Sequence, residues 1–198
     1  MVKFQKKSNE ESFMDANIIL ESFYYLAKRL EAPVDKLAAI KLLFFADRYH
    51  LRKYGRLISD DTYYALPHGP VASNSLDIVN EVISGENVGA DKQYIKSNSA
   101  TSFIAVDREF EIEYLSDSDI EALDFAVKEF GDKQAWDLRN LTHEYPEWKR
   151  FEHTLESQLS RREKIVMNDF FVNADIKADP FSVIPDRVVE LSKEAYFN

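Results

Sequence analysis

The chain has 198 residues, 45% hydrophobic and 13% aromatic, enough apolar material for one sizeable core without metal or disulfide support. Lys plus Arg total 25 against 35 for Asp plus Glu, a net charge of -10; that sign is wrong for a protein whose affinity comes from neutralising phosphates, and it favours a basic partner. Zero Cys excludes a disulfide framework, a thiolate zinc site and a cysteine nucleophile, and fits a reducing cytoplasm.

Residues 1–10 read as an N-terminal tail that carries charge but leads into no apolar signal region. No stretch approaches the roughly 18 uninterrupted apolar residues of a membrane span. The chain is therefore expected to stay unexported and cytoplasmic. From Ser12 to Leu30, Phe13, Ala16, Ile19, Leu20, Phe23, Leu26, Ala27 and Leu30 keep the three-and-four spacing of an amphipathic helix. Pro33 interrupts it, and Asp35 is placed to cap a second helix running to Tyr54. That helix is apolar on most of its circumference through Leu37 to Ala46, as expected of a central element. Arg52, Lys53 and Tyr54 fill its last turn, and Gly55 supplies a left-handed stop.

Asp60-Asp61 leads into Thr62–Leu66, a Tyr-rich strand ended by Pro67, and a Pro67-His-Gly-Pro70 turn follows. Ser73 is the expected N-cap of a third helix, closed at Gly85. Between Asp91 and Tyr114 the β-branched and aromatic alternation predicts two or three strands or a hairpin. Ser116 and Asp119 form a capping box for a helix ending at Gly131, and another helix covers Lys133 to Thr142. The polar tract Thr154–Arg162 reads as a surface loop or frayed helix, and a terminal helix spans Asp186 to Tyr196. The fold class is mainly α (α+β): a compact helical domain over residues 11–153 with a small antiparallel β element. Residues 154–198 form an extension whose Phe170, Phe171 and Phe181 dock on the same body, since so short a piece makes no core of its own.

Two stretches in this order carry a resemblance: the run from Lys41 to Ser73, and Leu138-Arg-Asn-Leu-Thr-His-Glu-Tyr-Pro-Glu-Trp148, with the Leu115-Ser-Asp-Ser-Asp-Ile helix start between them. Over roughly Ala16 to Trp148 the chain resembles the Panacea domain, the SocA-like antitoxin family, also met as phage-associated proteins of the GepA type. The resemblance implies a toxin–antitoxin role in which the protein neutralises a cognate toxin, commonly by direct contact, with a proteolytic adaptor or a DNA-binding autoregulator as alternatives. It marks Phe44, Asp47, Tyr54, Gly55, Pro67, Gly69, Pro70, Thr142, His143 and Trp148 as scaffold. It implies no cofactor and no catalytic set, and leaves any homo-oligomer open.

The residues themselves admit other chemistries. Asp47 and His50 are an i, i+3 pair able to supply two metal ligands, but no matching second pair follows. His68 has no nearby nucleophile to activate, and His143-Glu144 fails as a zincin motif because Glu147 stands where the second His belongs. Asp60-Asp61 and Asp117-Ser-Asp119 sit where turns and helix N-termini want carboxylates. Arg48, Arg52, Lys53 and Arg56 form a basic patch, expected to be a solvated helix end before it is a DNA contact. The adjacent pairs Tyr24-Tyr25 and Tyr63-Tyr64 cannot all point into one core and are the candidate partner-binding aromatics.

Overall fold

The computed structural model describes residues 9–86, 88 and 92–198. Its helices are α1 (Asn9–Leu30), α2 (Lys36–Tyr54), α3 (Ser73–Ser84), α4 (Asp117–Phe130), α5 (Ala135–Thr142), α6 (Pro146–Lys149), α7 (Glu152–Glu156) and α8 (Asp186–Phe197). Six short strands are β1 (Val34–Asp35), β2 (Tyr63–Leu66), β3 (Gly69–Ala72), β4 (Ile95–Ser99), β5 (Ser102–Ala105) and β6 (Glu163–Lys164). They make two three-stranded antiparallel sheets, ordered β1-β5-β4 and β3-β2-β6. The fold is mainly α with a small β element, as the sequence predicts. Of the expected tail, residues 1–8 lie outside the described residues, while Asn9 and Glu10 already belong to α1.

Helix α2 is the axis of the molecule. Every residue from Ala39 to Arg52 is buried, and α1, α4, α5, α8 and β3 all pack on it. Its limits follow from local chemistry. Asp35 Oδ1 accepts from Leu37 N at 2.8 Å and Ala38 N at 3.3 Å, satisfying two amides that the helix itself cannot. Gly55 turns left-handed at φ 76°, and a Cβ there would come 3.0 Å from Ser192 O of α8, so glycine both stops α2 and admits α8.

Several strands differ from the sequence reading. The Gly69-Pro70 pair does not end the β region; it starts β3, which pairs back on β2 in the register Leu66↔Gly69 and leaves Pro67-His68 as the hairpin tip. β3 is an edge strand, where a proline without an N–H is tolerated. β1 pairs with β5, and β6, directly after the Thr154–Arg162 polar tract, pairs with β2. Of the run from Asp91 to Tyr114, Asp91 lies outside the described residues, two strands form, and Phe110 and Ile112 fall outside both. The amides of Glu113, Tyr114 and Leu115 donate instead to the buried carboxylate of Glu21, at 2.7 to 2.9 Å. Ser73 is not the cap of α3: Asp61 reaches across the hairpin to accept from Asn74 N, Ser75 N and Ser75 Oγ. The Ser116–Asp119 capping box is present.

The C-terminal region joins the same core. Phe170, Phe171 and Phe181 are buried with the α2 residues, and Phe45 and Phe130 stack with centroids 3.9 Å apart. The expected solvated basic patch is corrected here, because Arg48 and Arg52 are buried. Arg48 donates to the buried Glu147 and to Val172 O, with its guanidinium over the Tyr145 and Phe181 rings. Arg52 donates to Phe170 O, Val172 O and Asn173 Oδ1. These bonds tie the chain after α7 to α2. Burial pushes the Glu147 carboxyl up, opposed by Arg48, and Glu147 Oε2 and Arg48 Nε have no partner.

Removing Glu147 alone strands a desolvated guanidinium. Glu147→Ala is expected to cost about 3–5 kcal/mol in urea denaturation, whereas the double change Arg48→Met with Glu147→Leu is expected to return much of that loss.

Candidate functional site

Six of the residues marked in the sequence converge on the β2–β3 hairpin tip. Pro67 and His68 form the exposed tip, and Gly69 and Pro70 are buried behind it. The backbone carbonyls around the turn accept from three different elements. Trp148 Nε1 of α6 donates to Leu66 O at 2.7 Å, Arg139 Nη2 of α5 to Pro67 O at 2.8 Å, and Lys41 Nζ of α2 to Pro70 O at 2.7 Å. The tip is thus clamped on both sides, at residues 66 and 67 before it and at residue 70 after it.

Gly69 is obligatory at this point. Its φ is 95°, and a Cβ would lie 2.6 Å from Thr142 Oγ1 and 2.9 Å from Lys41 Nζ. Thr142 Oγ1 in turn donates to Arg139 O at 2.7 Å, closing the last turn of α5. His143, the cap of α5, stacks on Trp148 with centroids 3.3 Å apart and an interplanar angle of 18°. Pro146 then opens α6 at a position where its missing N–H costs nothing.

The electrostatics of this cluster are one-sided. Burial, aided by the charge of Arg139, lowers the Lys41 ammonium pKa to about 7. Burial lowers His143 to about 3, with Arg139, Lys41, His68 and Lys149 adding in that order. At neutral pH His143 is therefore an uncharged ring, and its Nε2 is buried without a partner. Outside the clamp, His68 meets Trp136 edge to face at 5.5 Å, and Trp136 is 59% exposed.

The other marked residues serve different places. Phe44 is the hub of a ring cluster with Phe45, Tyr63, Tyr145 and Phe170. Asp47 is buried and accepts from Ile58 N, Ser59 N, Ser59 Oγ and Tyr63 Oη, which fixes the segment entering β2. Burial nevertheless pushes its pKa up to about 6. Tyr54 and Gly55 lie at the far end of α2, where Tyr54 donates to Glu121.

Asp47 and His50 do not share a ligand: His50 bonds Arg56 O and Ser118 Oγ. Among the described residues no three His, Asp or Glu side chains are grouped so as to hold a metal. Lys53 pairs with Glu121 and Arg56 with Asp119, so the remaining members of the basic patch are also engaged within the fold.

Of the candidate partner-binding tyrosines, Tyr24 and Tyr63 are buried, which takes them off the surface. Tyr25 is half-buried and donates to Asp124, and Tyr64 is half-buried beneath the Arg162 guanidinium at 3.5 Å. Trp136 exposes far more aromatic surface and was missed. Trp136, Arg139 and His143 are spaced i, i+3, i+7, so they line one stripe of the α5–α6 start, while Leu138 and Thr142 face the core. A tryptophan on the polar side of a short helix was the available signal. For Lys41 the signal was a lone cation inside the run Ile40-Lys41-Leu42.

A family model described as antitoxin SocA-like, Panacea domain, matches residues 40–149. That span runs from α2 through the hairpin to α6 and contains the whole clamp. No curated protein and no solved structure matches the chain.

Lys41 gives the clamp a pH signature. Its folded pKa of about 7 lies below the unfolded value near 10.4, so the unfolded chain binds the extra proton between them. Stability is expected to rise from pH 7 to pH 9 by at most about 1.4 kcal/mol per unit, and the Lys41→Met variant to lose that rise. Denaturant midpoints of both proteins at the two pH values check it.

Proposed function

The chain belongs to the SocA-like antitoxin family with a Panacea domain, and from that premise we propose that it neutralises a cognate protein toxin by direct binding in the cytoplasm. The family makes a toxin the partner. Two features support binding as the mode and the hairpin face as its place.

The carrying observation is Trp136, more than half exposed on a short helix whose next turn is bonded to the hairpin. Large aromatics presented on rigid elements supply most of the energy of protein interfaces, because little conformational freedom is lost when they are covered. His68 beside it extends the same surface from the clamped tip. The half-exposed Tyr25 and Tyr64 remain flanking candidates. The net charge of -10 supports long-range steering of a partner of overall positive charge.

The test is co-expression with the product of the adjoining gene. Wild type should restore growth and co-purify with the toxin, with rescue independent of cellular proteases. Trp136→Ala should weaken the complex by about 30-fold or more and abolish rescue without changing the melting temperature. Rescue with no detectable association sinks direct binding, and undiminished affinity in Trp136→Ala moves the contact surface elsewhere.

A further inference from the structure

Trp136 and His68 alone make too small a contact. A stable protein interface covers about 800 Å² on each partner, the surface of about 20–30 residues. The hairpin face therefore has to continue past the tip, and the structure shows where it can. Pro67, the other residue of the tip, lines a groove of about 390 Å³ together with Leu155 and Glu156 of α7 and Gln158, Ser160 and Arg161 of the loop that follows. The buried Leu155 and Pro67 are its apolar part, and Glu156 and Arg161 cancel in charge. Leu159 lies between Gln158 and Ser160 of that lining and is 74% exposed, the highest value for any large hydrophobic side chain among the described residues.

The backbone holds Leu159 in this position. The chain leaves α7 through Gln158 at φ 56°, a left-handed conformation that residues with a side chain seldom adopt. Gln158 N donates to Leu155 O at 3.2 Å and Leu159 N to Thr154 O at 3.1 Å, the paired bonds of a helix stop in which the residue at the place of Leu159 commonly packs back on the last turn. Here His153 and Thr154 stand where that apolar seat would be. The loop is also fastened beyond Leu159: Arg162 lies over the Tyr64 ring at 3.5 Å and donates to Ser73 Oγ at 3.0 Å, and β6 then pairs with β2. A leucine on a fastened loop, like Trp136 on its helix, loses little freedom when a partner covers it.

We propose that Leu159 is a second anchor for the toxin, with one apolar side chain of the toxin seated in the groove between Pro67 and the loop while another covers Trp136. The inference rests on the hairpin face as the place of binding and sets how far that face extends. The groove's own charges cancel, so the group it takes is apolar. The occupant is the toxin and not a second copy of this chain: two copies would bring -10 against -10, whereas that charge favours approach of a partner of opposite sign.

Affinity for the purified adjoining-gene product is measured for wild type, Leu159→Ser, Trp136→Ala and Val183→Ser, with melting temperatures in parallel and the mass of each free protein taken by light scattering. Leu159 and Val183 are exposed, so neither change disturbs the fold. Leu159→Ser is expected to weaken the complex by about tenfold or more. Val183→Ser is expected to leave it unchanged, because Val183, 66% exposed, borders a different groove with Tyr49 and Phe125. Full affinity in Leu159→Ser beside a weakened Trp136→Ala overturns the second anchor while the hairpin face stands. An equal loss in Val183→Ser overturns it too, since the effect would then follow exposed apolar surface anywhere. A wild-type dimer that Leu159→Ser dissolves gives the leucine to a second copy and overturns it as well. Full affinity in Trp136→Ala, or no binding by the wild type, removes the hairpin face itself and the second anchor with it.

Discussion

A helix enclosed on all sides has to satisfy its polar side chains from outside itself, and α2 carries five such residues. Lys41, Asp47, Arg48, His50 and Arg52 are buried along its length. Each therefore dictates where another part of the chain must lie. Lys41 holds the hairpin through Pro70 O, Asp47 holds residues 58, 59 and 63, His50 holds the Arg56 carbonyl, and Arg48 and Arg52 hold residues 170–173. Apolar packing alone would accept these segments in many registers. Desolvated charges accept few, because an unmatched one costs several kcal/mol.

The same constraint joins distant parts of the sequence into one unit. Arg48 reaches Glu147 across 99 positions, and Trp148, the next residue, reaches back to Leu66. The α5–α6 corner thus grips α2 on one side and the hairpin on the other. Replacing the core by hydrophobes alone would keep burial but release this geometry. The matching is incomplete, with Arg48 Nε and Arg52 Nε unpartnered, so the network favours a specific arrangement more than it adds stability.

Much of this was legible in the sequence where the signal is local. The Asp35 cap, the Gly55 stop and the Ser116 box each depend on residues within a few positions, and all three hold. The strands that were missed depend on distant partners. Gly69-Pro70 looks like a breaker by propensity, yet β2 and the clamp recruit it into a strand. Glu163-Lys164 has no β pattern of its own and is a strand only because β2 offers an edge. The arginines misled for the opposite reason: a helix C-terminus favours cations in water, and nothing near residues 48 and 52 in the sequence shows that residues 147 and 170–173 will cover them. Trp136 stayed hidden because a single exposed aromatic is invisible to periodicity until the buried face of α5 is known.

The clamp also separates what the protein can change from what it cannot. A side chain at Gly69 collides with Thr142 and Lys41, and loss of Trp148, Lys41 or Arg139 frees a turn carbonyl, so alteration there is paid in folding. Pro67, His68 and Trp136 project beyond it into solvent, where substitutions usually shift stability by no more than about 0.5 kcal/mol. A rigid frame thereby holds a tip whose chemistry is almost free to vary. The clamp thus fixes where the tip sits, and the tip is where surface chemistry can change at little cost to the fold.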